Sequence, residues 1–361
     1  MINVPLPLRS DQLLYLDTWM DRVSRSFAVV VLFLEGPLKH YLSTAYLLCR
    51  VVDNIEDTTQ AYHWKSDRFN EVALLLERPF LAADILATWE EEPWPGLTQD
   101  QQLIMALENG LPLWDIFARI PEKPQGILRK WILEMVIGMR DLELPDRPPQ
   151  LREINGIKVL STHQDYEDYC YIVAGTVGHL ATELVINQYH ILQSEAAGLL
   201  AGAESCGRSL QKTNILKDFS EDLSRGMSYL PEAWLRECGY SPLDLQGAPD
   251  AWKFHVMEDV LEDLFKATRY VLAIPKSATG YRQASLMCLF PAYQTLSLAA
   301  DRHQQLFTPR HQFKISRQTL TRCLEDATSL ASDDAGILRY SDDMQSSIRQ
   351  AMALPSWSSR S

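Results

Sequence analysis

Carboxylates recur in two segments of the sequence at spacings that place them on one face of a helix. The first segment contains Tyr46, Arg50, Asp53, Glu56 and Asp57. Successive residues of this set are four, three, three and one positions apart. At about 100° per residue these positions form one stripe of side chains. Clustered carboxylates repel one another, and a divalent cation with oxygen ligands relieves that repulsion. The segment therefore predicts a metal-binding face.

The second segment repeats this pattern further along the chain. Gln211 and Asn214 precede Asp218, Glu221 and Asp222, and these five residues again form a single polar stripe. Mg²⁺ takes one or two carboxylates and leaves its other positions to water and phosphate oxygens. Two such stripes facing each other would suit Mg²⁺ ions that bridge to a diphosphate group.

A third acidic triplet has the same spacing but lacks the polar residues upstream. Asp259, Glu262 and Asp263 follow Trp252 and His255, which occupy the upstream positions of the stripe. An acidic triplet on a helix is more often a solvated face than a set of ligands. We therefore expect the third triplet to face solvent.

Charge limits the partners that the chain can have. It carries 34 Lys and Arg against 47 Asp and Glu, a formal net charge of −13 over 361 residues. A nucleic acid partner is not expected, because a phosphate backbone requires a basic face. Three cations near the stripes could hold a departing diphosphate, although each alone is more often a surface ion pair: Arg50, Lys212 and Lys217.

The elements that must position these residues are helices. Apolar residues recur every three and four positions through most of the chain, which predicts an all-α fold. Pro and Gly cluster in three zones that predict loops: Glu91–Asp100, Leu144–Thr162 and Arg225–Asp250. None resembles a flexible linker, so the sequence predicts one domain over residues 1–361. Its core is expected at about residues 20–325, with a disordered tail at 355–361.

No segment of the sequence predicts a membrane span. The longest unbroken apolar run, Phe27–Leu34, has eight residues, and a span needs about 18. The uncharged segment Gln283–Ala300 contains Pro291 and several polar residues, and it predicts a pair of buried helices. The six cysteines form no CxxC pair, which is typical of reduced thiols. We expect a cytoplasmic protein, soluble or peripherally attached to a membrane, without a transmembrane anchor.

Four segments together resemble the squalene/phytoene synthase family. They are Ser24-Arg25-Ser26-Phe27, the stripe Tyr46–Asp57, the run Tyr169–Gly178 and the run Leu210–Asp222. The resemblance covers about residues 20–320, and within the family the chain is most similar to the squalene synthases. It implies a single-domain isoprenoid synthase fold, with two Asp-rich helices facing each other across a central cavity.

The resemblance also implies roles for individual residues. The metal ligands would be Asp53, Glu56, Asp57, Asn214, Asp218, Glu221 and Asp222. The diphosphate oxygens would be held by Ser24, Arg25, Ser26 and Arg50. Gln211 would be a polar ligand flanking the second acidic motif, and Tyr46 would contribute to substrate binding. Phe27 would lie beside the reacting carbons, and Tyr169 would take a proton as a cyclopropane ring closes. The prenyl chain would be lined by Val173, Ala174, Val177, Gly178, Leu210, Met287, Cys288 and Pro291.

The implied reaction joins two farnesyl diphosphates head to head through presqualene diphosphate. Reduction by NADPH then gives squalene, with Mg²⁺ as the metal and Mn²⁺ as an alternative. Water would capture the cationic intermediates, so the cavity must be dry and apolar at its depth. The protein is expected to act as a monomer and to contact a membrane peripherally when it releases this product.

The nicotinamide site is implied by a short basic segment. The chain has no GxGxxG motif, so a Rossmann domain is not expected. Lys314-Ile315-Ser316-Arg317 resembles the basic segment of squalene synthases, and its two cations could hold a 2′-phosphate. Two positions depart from the family, which commonly has Arg where Met227 and Lys217 stand here. Arg225 could replace the cation missing at Met227.

Other functions remain open alternatives at this stage. A relative that makes dehydrosqualene or phytoene without NADPH is the nearest one. A terpene cyclase would share the metal chemistry but would not need the segments at Ser24 and Tyr169. A di-iron bundle is excluded, because no His follows a Glu at the E-x-x-H spacing. A helical scaffold without catalysis is the remote alternative.

Overall fold

The computed structural model describes residues 8–24, 27–142, 144, 150–309 and 312–353, most of which are helical. The expected all-α class is confirmed. Contacts divide the chain into two compact units. The first unit comprises Met1–Leu144 and His179–Ala196, and the second comprises Pro145–Gly178 and Ala197–Ser361. The single domain inferred from the sequence stays a prediction.

The first unit is built on one long helix that carries the first acidic stripe. This helix, α3 (Gly36–Asp57), buries Leu48 and Ile55 on the face away from the stripe. The helices before and after it are α1 (Ser10–Val23), α2 (Phe27–Val31), α4 (Tyr62–Glu77), α5 (Ala82–Glu90), α6 (Gln99–Met105), α7 (Leu107–Arg119) and α8 (Glu122–Asp141). The apolar face of α3 therefore fixes the direction in which its carboxylates project.

The second unit combines helices with a small sheet. Its strands are β1 (Leu151–Ile154), β2 (Ile157–Leu160) and β3 (Met227–Pro231). Its helices are α9 (His163–Cys170), α12 (Glu232–Cys238), α13 (Asp250–Ala273), α14 (Thr279–Asp301), α15 (Arg317–Leu330) and α16 (Asp334–Ala353). Two more helices, α10 (Thr176–Gln188) and α11 (Gln193–Ser224), contain the boundary between the units.

The sheet corrects two of the predicted loops. β1 and β2 form an antiparallel hairpin within Leu144–Thr162, and β3 pairs in parallel with β2 from within Arg225–Asp250. Asn155 and Gly156 both have positive φ, 53° and 79°, as the two-residue hairpin turn requires. Each strand has only four or five residues, which is too short to show a clear alternation of apolar and polar residues. The Asn-Gly pair was the available signal.

The predicted helix pair over Gln283–Ala300 is wrong, because α14 is one continuous helix with Pro291 in its interior. Proline removes a hydrogen bond in the preceding turn and usually breaks a helix. Here Leu286, Leu289, Phe290 and Tyr293 are fully buried around the proline. Burial of these side chains outweighs the local cost of the missing bond.

Glycines bring α11 into backbone contact with the segment around the start of α10. A Cβ at Gly207 would overlap the carbonyl oxygen of Ala174, and one at Gly178 would overlap that of Ala203. Between α9 and α10 the chain forms a π-helical turn, Tyr171–Gly175. Such turns are frequent at functional sites. This close packing determines the position of the turn relative to α11.

One helical run in the described part of the chain is long and apolar enough to span a membrane. It is His163–Gln188, and 44% of its most apolar window is buried inside the protein. Core helices of soluble proteins can be equally long and apolar, so a single such run among the described residues is weak evidence for a membrane span.

Substitution of Gly207 by Ala should destabilise the protein by about 1–3 kcal/mol, because the added methyl group overlaps a backbone carbonyl. Gly198 lies in the same helix with open space around it. Gly198→Ala should be neutral or stabilising by up to about 1 kcal/mol. Urea denaturation of both variants tests the difference, and equal effects would contradict the close packing.

Candidate active site

The first acidic stripe lies on α3 as its spacing predicts. Arg50 donates from Nη2 to the hydroxyl of Tyr46 at 3.1 Å, and its Nη1 lies 3.5 Å from Asp53 Oδ2. The guanidinium also lies over the Tyr46 ring, 5.7 Å from its centroid. Arg50 is thus fixed one turn before the carboxylates, where it presents a cation to an approaching anion.

Asp53 is electrostatically unfavourable in its ionised form. Burial raises the pKa of Asp53 to about 6, with Arg50 opposing the rise and the charge of Asp57 adding to it. The Asp53 side chain is 30% exposed, so the carboxylate remains accessible from one side. A divalent cation bound between Asp53 and Asp57 would relieve this repulsion.

An aromatic pair lies beside the same face. The ring of Phe27 stacks on that of Tyr46 with centroids 4.9 Å apart and an angle of 14° between planes. The buried Ser24 accepts the Phe27 N–H at 3.0 Å through its hydroxyl, which fixes the start of α2. Arg25 and Ser26 lie outside the described residues.

The second acidic stripe lies on α11 in the second unit. Lys217 donates from Nζ to Asn214 Oδ1 at 2.9 Å and lies 3.1 Å from Asp218 Oδ2. It therefore bridges two of the predicted metal ligands. Arg225, predicted as a cofactor cation, forms an ion pair with Glu221 at 3.1 Å. Gln211 and Asp222 are half-buried.

Tyr169 lies in the last turn of α9, separated from the π-helical turn by Cys170. It is 4% exposed and stacks on Tyr229 with centroids 4.4 Å apart. The residues predicted to line the prenyl chain are half-buried or, for Met287, fully buried: Val173, Ala174, Val177, Gly178, Leu210, Met287, Cys288 and Pro291. Burial raises the pKa of the Cys288 thiol to about 12, so the thiol is protonated at neutral pH.

Lys212 and the third acidic triplet differ from their predictions. Lys212 is 1% exposed, and its Nζ lies 2.9 Å from both Asp259 Oδ2 and Asp263 Oδ2 and 2.6 Å from Glu167 Oε1. Of the triplet, only Glu262 is exposed. The triplet is therefore not a solvated face, and Lys212 is not available to hold a diphosphate. The spacing of acidic residues along α13 could not reveal that Lys212 on α11 pairs with two of them.

This buried ion cluster is internally compensated. Arg208 pairs with Glu167 and, at 3.1 Å, with Asp263. Burial would raise the pKa of Asp263, yet Lys212 and its other cationic neighbours outweigh burial and hold that pKa below its ordinary value. Burial raises the pKa of Asp259 despite its contact with Lys212.

One group in the described part of the chain brings three metal-ligand atoms within 4.8 Å of one another, and it lies in this cluster. The group is His163, Glu167 and Asp259. Lys212 already contacts both of its carboxylates, so a second cation would meet a positive charge there.

Lys212→Met should destabilise the protein by about 3–5 kcal/mol, because three carboxylates would lose a fully buried partner. Lys266 is the matched control, since it contacts the same Asp263 at 2.8 Å but is 57% exposed. Lys266→Met should cost at most about 1 kcal/mol. Chemical denaturation measures both losses, and a small loss for Lys212→Met would contradict its structural role.

The predicted nicotinamide segment lies beside the second stripe. Gln312 donates from Nε2 to Glu221 Oε2 at 3.0 Å, and Phe313 is buried. Lys314 and Arg317 are exposed, and Ser316 caps α15 by accepting the Thr319 N–H at 3.0 Å. The two cations thus lie at a helix N-terminus, an environment that favours phosphate.

Sequence reasoning missed two glutamines that contact predicted metal ligands. Gln312 contacts Glu221, and Gln101 donates from Nε2 to Asp57 Oδ2 at 3.2 Å. Both lie far along the chain from the carboxylate they contact, so motif spacing could not identify them. For Gln101 the sequence did contain one signal, the Thr98-x-x-Gln101 pattern of a helix capping box.

Comparisons with known proteins agree on one family and one fold. The squalene/phytoene synthase family model matches residues 20–319. The squalene synthase of Eremothecium gossypii is 30% identical over 220 residues, which are 60% of this chain and 45% of that protein. The squalene synthase of Rattus norvegicus is 24% identical over 339 residues, 90% of this chain and 72% of that protein. The chain thus spans less than half the length of the first relative.

A solved structure has the same fold. The complex of TcSQS with the ligand BPH1237 matches with a TM-score of 0.78 at 20% sequence identity, and the match covers 97% of this chain and 94% of that one. The predicted isoprenoid synthase fold is thereby confirmed. The expectation that the two acidic helices face each other stays a prediction.

Proposed function

Because the chain belongs to the squalene/phytoene synthase family, we propose that it is a squalene synthase. It would condense two farnesyl diphosphates through presqualene diphosphate and reduce the product to squalene. The observation that carries this proposal is the α3 stripe, where burial and Asp57 raise the pKa of Asp53 to about 6. A half-buried carboxylate pair next to a fixed guanidinium suits a metal-bound diphosphate.

The carboxylates and the amide of the two stripes are the proposed Mg²⁺ ligands, with Mn²⁺ as an alternative metal. All seven offer oxygen donors, which hard cations prefer: Asp53, Glu56, Asp57, Asn214, Asp218, Glu221 and Asp222. When bound, the metal would neutralise the charge that develops on a departing diphosphate. Asp53, Asp57, Asp218 and Asp222 would therefore support catalysis directly.

Cationic and hydroxyl groups would bind the diphosphate oxygens. Arg50 is held by Tyr46 and Asp53, so its guanidinium is oriented before substrate arrives. Lys217 contacts two proposed metal ligands and would offer a single ammonium where the family commonly has Arg. Ser24, with Arg25 and Ser26, and Gln211 complete the proposed diphosphate-binding set.

Aromatic and apolar groups would protect the cationic carbons. The stacked rings of Phe27 and Tyr46 present π-electron faces, which attract positive charge. Tyr169, buried against Tyr229, would accept a proton at its phenolic oxygen, in the phenolate form, as the cyclopropane ring closes. The half-buried residues of the π-helical turn and α14 would exclude water from the prenyl chain.

Lys314 and Arg317 are the proposed ligands of the NADPH 2′-phosphate, supported by their position at the N-terminus of α15. NADPH would supply the hydride that quenches the final cation. Arg225 would assist only after leaving its ion pair with Glu221. The bond from Gln312, two residues before Lys314, to Glu221 of the second stripe supports a cofactor site beside the proposed metal ligands.

We further propose a cytoplasmic monomer that contacts membranes peripherally. All six cysteines are free, which suits a reducing compartment. Squalene is a hydrocarbon and requires an apolar acceptor on release. The net charge of −13 disfavours nucleic acid as a partner.

Product analysis tests the proposed function. Purified protein is incubated with farnesyl diphosphate and Mg²⁺, with and without NADPH, and the products are identified by gas chromatography and mass spectrometry. We expect squalene only with NADPH, and presqualene diphosphate or dehydrosqualene without it. Asp53→Asn and Asp218→Asn should lower turnover by at least about 1,000-fold, equivalent to about 4 kcal/mol.

Glu262→Gln is the matched control, since it removes an exposed acid of the third triplet and should leave turnover unchanged. Replacement of Lys314 and Arg317 by Ala should raise the KM for NADPH and leave presqualene diphosphate formation intact. A product that is independent of NADPH, or turnover of geranylgeranyl diphosphate alone, would assign the protein to the phytoene-type branch. No product from either substrate would contradict enzymatic function.

A further inference from the structure

The C-terminal end of α3 is held by the loop and helix that follow α5. The Thr58 hydroxyl donates to the Pro95 carbonyl oxygen at 2.8 Å, and the Thr59 N–H donates to the same oxygen at 3.0 Å. Gly96 has φ of 89° and lies so close that a Cβ there would be 3.4 Å from the Asp57 carbonyl oxygen. The segment therefore packs directly against the last turn of the acidic stripe.

A buried amide joins the same two elements. Asn54 lies between the proposed metal ligands Asp53 and Glu56 in sequence and is fully buried. Its Nδ2 donates to the carbonyl oxygen of Gln101 at 3.1 Å. The main chain at the start of α6 is thus held in a defined position relative to the carboxylates of α3.

The side chain of Gln101 has one orientation that satisfies both of its ends. Its Oε1 accepts the Thr98 N–H at 2.8 Å and the Thr98 hydroxyl at 2.9 Å, as part of the capping box of α6. With the oxygen engaged by two donors, the NH₂ group points the other way. It donates to Asp57 Oδ2 at 3.2 Å.

We propose that Gln101 is a positioning residue that orients the Asp57 carboxylate for metal binding. This inference rests on the proposed function, in which Asp57 is a metal ligand. A hydrogen bond to Oδ2 restricts rotation of the carboxylate and so sets the direction in which its second oxygen points. The Gln101 amide is neutral, so it does not compete with a metal cation for the negative charge of Asp57. Arg50, in contrast, is a cation and does compete with a metal for the charge of Asp53.

Groups that hydrogen-bond to metal ligands typically contribute 10- to 100-fold in metal affinity. Gln101→Met keeps the length of the side chain and removes both polar ends. We expect it to weaken Mn²⁺ binding about 10- to 100-fold at the sites that depend on Asp57. Electron paramagnetic resonance of Mn²⁺, titrated into the full chain with inorganic pyrophosphate present, measures this affinity without turnover.

Thr98→Ala is the matched control for the loss of the helix cap. It removes the hydroxyl partner of Gln101 but leaves the Thr98 N–H and the bond to Asp57 in place. We expect both variants to lower the melting temperature and only Gln101→Met to weaken Mn²⁺ binding. Unchanged Mn²⁺ affinity in Gln101→Met, or an equal loss in Thr98→Ala, would overturn the positioning role.

Asp57→Asn separates failure of this inference from failure of the proposed function. If Asp57→Asn leaves Mn²⁺ binding unchanged, Asp57 is not a ligand, and both the metal assignment and the role of Gln101 fail. If Asp57→Asn removes Mn²⁺ sites while Gln101→Met has normal affinity, the metal assignment stands and the positioning role alone is overturned. Loss of the same sites in both variants supports the role.

Discussion

Repulsion between carboxylates on one helix face is the constraint on which the rest of this structure depends. The same D-x-x-E-D spacing occurs on α3, α11 and α13, and it has different consequences in each place. On α13 the buried Lys212 and the half-buried Arg208 supply cations to Asp259 and Asp263, although burial still raises the pKa of Asp259. On α3 the compensation is incomplete, and burial together with Asp57 raises the pKa of Asp53 to about 6. On α11, the partly exposed Lys217 and Arg225 pair with Asp218 and Glu221. We propose that a metal ion completes the stripes of α3 and α11.

Packing around the stripes depends on small residues and on side chains that fix helix ends. Gly178 and Gly207 allow backbone contact between α10 and α11, which defines the position of the π-helical turn after Tyr169. The ion cluster around Lys212 connects α9, α11 and α13, so that Tyr169 and the second stripe lie on helices joined by buried ion pairs. In the first unit, Asn54 and Gln101 connect α6 to α3. The same helices thus carry both residues that hold the structure together and residues proposed to act in catalysis.

The sequence predicts helices and stripes well because both depend on local periodicity. The helix at Tyr46–Asp57 and its polar face follow from spacing alone, and the family resemblance correctly implies the fold. The three-stranded sheet was missed because its strands are short, and the break predicted at Pro291 was outweighed by tertiary burial. The buried state of Asp259 and Asp263 could not be predicted, since their cation lies about 50 residues away on another helix. Contacts between distant segments, such as Gln101 with Asp57, require coordinates.

Anomalous diffraction from crystals grown with Mn²⁺ and inorganic pyrophosphate tests the central claim most directly, because it locates the metal without reference to turnover. We predict anomalous peaks beside Asp53 and Asp57 on α3 and beside Asp218 and Asp222 on α11, with no peak between His163, Glu167 and Asp259. Peaks only in the Lys212 cluster, or none at either stripe, would contradict the conclusion that the carboxylates of α3 and α11 form the metal site.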